Sequence, residues 1–265
     1  MKRRKFLQDT AMASMALGLP SQWFDAKTTH ILSLSFDDGF KKSFYKVAEI
    51  HENYGLKACF NVIARGHFPD FKKIDDWILP ELLGDFNDWN KLKGRGHEVM
   101  PHTWEHLNLT KVPLSKAKEN IDRCLDYFEE NLDGYKASEA VYNCAFLAST
   151  PELDAYTLKR TAAVRTGAWL VLEDTRLNMI PTATEPERLG AWSFGPDFGD
   201  KRVDKEINQF LKGPGGWLIL NLHGVDDEGW GPIRSSYLDK LLKKLVKIDH
   251  LAILPVGEAL KLGKS

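Results

Sequence analysis

From residue 30 onward, short apolar runs alternate with stretches in which apolar residues recur at three- and four-residue spacing. Residues 31–36 (ILSLSF) and 57–63 (KACFNVI) predict two strands, with a helix over 42–54 between them. Over 74–94, Ile78, Leu82 and Leu83 recur at near-helical spacing, which predicts a long helical stretch. A short run from His97 to Met100 then leads into Pro101 and His102. Over 115–132, Ile121, Cys124, Leu125 and Phe128 share one helical face, with Ser115 placed to cap it and Gly134 to stop it. Strand-like runs return at 140–146, 161–165, 217–222 and 251–256. A further helix carries Tyr237, Leu238, Leu241, Leu242 and Leu245. The stretch 166–203 reads as an elaborated connection. Strands that alternate with helices imply βα units and a mainly parallel sheet. The chain therefore reads as one α/β domain over 25–265.

Charge and composition narrow this picture. With 36 Lys+Arg against 37 Asp+Glu, the chain lacks the basic excess of a nucleic-acid binder. Three cysteines exclude a disulfide scaffold, and Cys59, Cys124 and Cys144 all lie in apolar runs, as buried small hydrophobes do. No apolar run is long enough to span a membrane as a helix, and no obligate protein partner is evident. Residues 1–24 differ from the rest. Lys2, Arg3, Arg4 and Lys5 precede a modestly apolar stretch from Ala11 to Leu19, the layout of an export signal. Arg3-Arg4 followed by Phe6-Leu7 resembles the twin-arginine signal, which implies export across a bacterial inner membrane. Without that segment the chain would carry about −4 instead of −1.

The reactive side chains fall at strand ends. Asp37 and Asp38 follow the first strand, His102 and His106 follow the run ending at Met100, and His223 follows WLILNL. In a parallel α/β barrel, the carboxyl ends of the strands converge on one face. Two histidines four apart on one helical turn would project to the same side and suit a divalent metal, with a carboxylate as third ligand. Three protein ligands leave room for water and substrate. A second carboxylate would take the water's proton, and a separate histidine would protonate the leaving group. The residues alone do not say which of Asp37 and Asp38 does which.

SFDDGF (35–40), HTWEHLNLT (102–110) and LILNLHG (218–224) resemble, in order and spacing, three motifs of the polysaccharide deacetylases, the NodB-homology group of carbohydrate esterase family four. The resemblance implies a distorted (β/α) barrel that removes acetyl groups from N- or O-acetylated glycans. It implies Asp37 as general base, His223 as general acid, and Asp38, His102 and His106 as ligands of a divalent metal, zinc first, with cobalt, nickel or manganese as other candidates. The family's third motif carries an Arg that orients the catalytic Asp. Here the matching stretch is Tyr142 to Leu147, and Asn143 stands where the Arg would be. Arg165 is the candidate replacement, and a backbone N–H near Phe146 the candidate oxyanion donor. Trp169, Trp192 and Trp230 are candidate sugar platforms. The acidic run Asp226, Asp227 and Glu228 reads as a solvated loop beside His223. Two alternatives stand beside this reading: an amidohydrolase of a small molecule, and a glycan-binding protein that lost activity with its third motif.

Overall fold

The computed structural model describes residues 28–72, 76–172, 177–181 and 187–262. The export signal expected over 1–24 lies outside the described residues. Eight strands run β1 (His30–Phe36), β2 (Cys59–Val62), β3 (Glu98–Pro101), β4 (Val141–Asn143), β5 (Ala163–Gly167), β6 (Glu187–Ser193), β7 (Gly216–Leu222) and β8 (Leu251–Ile253). Among the described residues eight α-helices accompany them: α1 (Lys41–Glu52), α2 (Phe86–Gly94), α3 (Leu114–Asn131), α4 (Pro151–Thr157), α5 (Ala168–Val171), α6 (Asp200–Phe210), α7 (Ser235–Leu245) and α8 (Val256–Lys261). Seven strands form a nearly closed parallel barrel in the order β3-β2-β1-β7-β6-β5-β4, and β8 pairs with β1. The expected distorted barrel is therefore present.

The two-residue period of each strand sorts its side chains. Leu32, Leu34 and Phe36 of β1, with Leu218, Leu220 and Leu222 of β7, face outward and join the core under α1, α3 and α7. Phe44 of α1 stacks on Phe60 of β2 there, with ring centroids 4.5 Å apart. The alternate residues point into the barrel. Near the amino ends of the strands these are apolar: Ile31, Cys59, Val141, Ala163, Leu189 and Ile219 pack together, with Val256, Ala259 and Leu260 of α8 against them. Two to six residues further along the same columns stand Asp37, Asn61, Asn143, Arg165, Ser193 and His223. The barrel is thus dry at one end and polar at the other. All three cysteines are buried and free, as their apolar settings indicate.

Four local expectations are corrected. The stretch 74–94 is not one helix: a short 3-10 turn at Pro80–Leu82 precedes α2. Asp85 starts α2 by accepting from the N–H groups of Asn87 and Asp88, while Asp88 bonds back to the Asp85 N–H, a capping box built from two aspartates. Gly84 separates the two pieces where a Cβ would lie 2.6 Å from the Trp89 ring. α3 begins at Leu114 with Pro113 before it, so Ser115 sits inside the first turn and caps nothing. The stretch 166–203 is not only connection, since it contains α5 and the barrel strand β6. β4 ends at Asn143 because the chain turns immediately, with Phe146 and Leu147 at φ 58° and 52°.

Glu98, at the start of β3, accepts from the Gly257 N–H at 2.8 Å and from Cys59 Sγ at 3.1 Å. Burial, reinforced by the nearby Glu258 charge, pushes its pKa up to about 7. The folded state therefore holds this proton more tightly than the unfolded chain does. The resulting stabilisation is present below about pH 4.5 and is lost as the pH rises through 7. Glu98→Gln should flatten this decline, on the order of 1–3 kcal/mol, in denaturant unfolding followed from pH 5 to 8. An unchanged pH profile would show that Glu98 is ordinarily ionised.

Candidate active site

Backbone ladders deliver the reactive groups to the polar end. The Asp37 N–H bonds to the Leu222 carbonyl and the His102 N–H to the Val62 carbonyl, so both residues extend the sheet by one position. The chain then bends sharply. Asp38 has φ 81°, Thr103 66° and His106 55°, a left-handed conformation that non-glycine residues adopt at a cost. His102 and His106 do not share a helical turn, contrary to the geometry expected from their spacing. They converge because this left-handed loop folds back, and Thr103 Oγ1 accepts the His106 N–H at 2.9 Å to hold it.

Asp38 Oδ1 lies 3.4 Å from His102 Nε2 and 3.3 Å from His106 Nε2, and one donor atom from each of the three residues falls within 4.8 Å of the others. All three side chains are buried, and neither Asp38 oxygen receives a regular hydrogen bond. Burial works against the Asp38 charge, but the two imidazoles outweigh it and hold the pKa well below the usual range. His102 Nδ1 lies 3.0 Å from the Asn143 carbonyl; donation there leaves Nε2 with its lone pair toward Asp38. Two imidazoles and one carboxylate without regular donors are the set a divalent metal requires. The residues fit such an ion.

Asp37 is held differently. Arg165, with no exposed surface, donates from Nη2 to Asp37 Oδ2 at 2.6 Å and to Oδ1 at 2.9 Å. Asn61 donates to Oδ1 at 2.7 Å. Burial would raise the Asp37 pKa, and the Arg165 charge together with the His102 and His223 rings more than offsets it, so the carboxyl is held below its ordinary value. Asn143 takes part from the side: its Oδ1 accepts from Arg165 Nε at 2.5 Å, and its Nδ2 donates to the Pro101 carbonyl at 3.1 Å. Asn143 and Arg165 are directly paired in the β4–β5 register. The guanidinium reaches Asp37 from the neighbouring strand, and the asparagine steadies it.

These groups open on a cavity of about 300 Å³. His223 stands on its far side, partly exposed, and meets Trp230 edge to face with ring centroids 5.6 Å apart. Burial holds the His223 pKa below its ordinary value. Trp77, Phe146, Trp169 and Trp230 form apolar walls, with Ser193 and Asn221 among the remaining lining. Trp230 lies flat over Gly195 and Trp169 over Gly167, so neither glycine has room for a Cβ. Trp192 does not line the cavity. It lies within β6 opposite Leu220, not in a loop, and packs against the outer core. Trp77 takes its place, 6.3 Å from Trp230. Its position within a stretch of helical spacing concealed it. Asn61, Ser193 and Asn221 were also missed, although each is a polar residue on an inward strand position.

Residues 25–149 match the sequence profile described as Polysaccharide deacetylase. Over this stretch, just under half of the chain, the sequence is similar to the polysaccharide deacetylase family. The family comprises hydrolases acting on acetyl and amide bonds of carbohydrates, the enzyme class expected from the motifs. No curated protein matches the sequence. Among solved structures, the fold is similar to peptidoglycan deacetylase PdaC from Bacillus subtilis, at 18% identity and TM-score 0.56, covering 91% of this chain and 94% of that one. It is also similar to a family 4 acetyl xylan esterase from Clostridium thermocellum in complex with a cobalt ion, at 15% identity and TM-score 0.55, covering 88% and 91%. A third is the Xyl-CE4 domain of a multidomain xylanase from the hindgut metagenome of Trinervitermes trinervoides, at 13% identity and TM-score 0.51, covering 89% and 92%. At these identities the likeness is one of fold.

Removing one member of a buried ion pair leaves the other uncompensated. Arg165→Met should therefore lower stability by about 3–5 kcal/mol. Adding Asp37→Asn should recover a large part of that loss. Denaturant unfolding of the two single variants and the double variant checks this, and simple additivity would show that the pair is not coupled.

Proposed function

We propose that the chain is an exported, metal-dependent hydrolase that removes acetyl groups from an acetylated polysaccharide or oligosaccharide. The carrying observation is the juxtaposition of Asp38, His102 and His106 with an Asp37 held ionised by Arg165, at one cavity walled by tryptophans. In this reading residues 25–265 are the catalytic domain and residues 1–24 direct export. Asp38, His102 and His106 hold the ion, zinc first. When bound, such an ion polarises the acetyl carbonyl and acidifies a water. Asp37 takes the proton of the attacking water, and Arg165 and Asn61 keep its carboxylate oriented and charged. The backbone N–H of Phe146 faces the oxyanion that forms. His223 delivers a proton to the departing amine or alcohol as acetate leaves.

The walls support a sugar ligand. Trp230 stands beside His223, where the reacting unit sits, with Trp77 next to Trp230, and Trp169 is 60% exposed at the rim, where a neighbouring unit of a longer glycan would stack. The names of the structural neighbours carry peptidoglycan and acetylated xylan, both polymers, which supports the same reading.

Acetate release from a panel of acetylated glycans, run beside metal analysis, tests the proposal. His102→Ala should lose both the metal and the activity. Asp37→Asn should keep the metal and lose about 10²–10⁴-fold in kcat. Unchanged acetate release in either variant contradicts the assignment. Trp169→Ala should raise KM severalfold for an acetylated oligosaccharide and leave it unchanged for the acetylated monosaccharide. An equal effect on both would place Trp169 outside the extended subsite.

A further inference from the structure

The acidic run after β7 is not a solvated loop. Asp227 pairs with Lys42 at the surface, and Asp226 Oδ1 accepts the Ser235 N–H at 2.9 Å at the start of α7. Glu228 is different, since only 5% of it is exposed. Its Oε2 accepts from the Ser43 N–H at 2.9 Å and from the Ser43 hydroxyl at 2.5 Å. Ser43 lies in the first turn of α1, five residues after Asp38. That helix lacks a capping side chain at Phe40 and any acidic residue in its first turn. Glu228 thus supplies, from a loop far away in sequence, the negative charge and acceptor that a helix start favours.

The same knot seizes the loop that carries His223 and Trp230. Ser43 Oγ accepts the Val225 N–H at 3.1 Å, and the loop closes on itself through bonds from Glu228 N to the Val225 carbonyl and from Ile233 N to the Gly224 carbonyl. Two glycines let it fold this tightly. A Cβ on Gly224 would lie 2.3 Å from the Glu228 carbonyl oxygen, and one on Gly229, at φ 90°, 3.0 Å from His223 Cβ. The surface pair Lys42–Asp227 adds little to this restraint. Glu228 is the buried link between the turn bearing Asp37 and Asp38 and the loop bearing His223.

We propose that Glu228 is a positioning residue: by capping α1 from the loop after β7, it sets His223 and Trp230 against the Asp37–Asp38 turn. The effect on turnover rests on the role of His223 given above; the effect on geometry does not. Glu228→Gln keeps an acceptor for Ser43, whereas Glu228→Ala removes it. In nitrogen-15 spectra of the histidine rings of the full chain, Glu228→Ala should shift or broaden the His223 signals, identified with His223→Gln. Those of His97, on the opposite end of the barrel, should stay in place, and Glu228→Gln should restore the His223 signals toward wild type. In acetate release, Glu228→Ala should lower kcat about tenfold at unchanged metal content. In a His223→Ala background it should cost less than about twofold more. Unmoved His223 signals, or an equal loss of kcat in both backgrounds, would overturn the proposal. If the wild-type protein releases no acetate, the deacetylase reading fails and the ring spectra still decide the positioning role.

Discussion

Arg165 and Asp37 meet inside the barrel with almost no exposed surface, and the candidate site is arranged around that contact. A buried ion pair is costly unless its geometry is good and its remaining polar atoms are bonded. Here the carboxylate takes two bonds from one guanidinium nitrogen and one from Asn61, and Asn143 steadies the guanidinium at Nε, while Arg165 Nη1 meets no hydrogen-bond partner among the described residues. Asn143 in turn bonds the Pro101 carbonyl with its side chain and faces His102 Nδ1 with its own carbonyl. One asparagine therefore connects the group that holds Asp37 with a residue of the candidate metal-ligand set. It also ties β4 to the end of β3, between which the described residues show no strand pairing. The seam of the barrel is closed by the candidate site's own network.

The backbone around this network is strained in a consistent place. Asp38, Thr103, His106, Phe146 and Leu147 all have positive φ, and all lie at or next to the cavity. Such conformations cost about 1–3 kcal/mol each and persist only where the surroundings over-determine them. The surroundings here are the apolar lower barrel, plugged by α8, and the outer core beneath the helices. Stability is built at one end and used at the other to hold carboxylates and imidazoles close together.

Much of this was legible in the sequence. Asp37, Asp38, His102, His106 and His223 follow apolar strands, so their convergence followed from strand direction alone. Arg165 was also visible, as a cation at the end of a strand when Asn143 could not supply one. What stayed hidden had physical causes. β6 is short of apolar alternation because it carries Gly190 where α5 packs directly against its backbone. The helical spacing of Ile78, Leu82 and Leu83 came from residues covering a small side core, not from one helix face. Trp192 and Trp77 exchanged roles because a tryptophan's surroundings depend on tertiary contacts that spacing does not encode. Glu228 looked solvated beside two other acids, and only the fold brings the start of α1 to it.

In the proposed function, Arg165, acting from the adjacent strand, does for Asp37 what the third-motif arginine does in the family, so that Asn143 does not silence the site. The most direct test of this role is acetate release by Arg165→Met, measured at metal occupancy matched to wild type. The variant should lose at least about a hundredfold in kcat with the metal still bound. Wild-type turnover in that variant would contradict it.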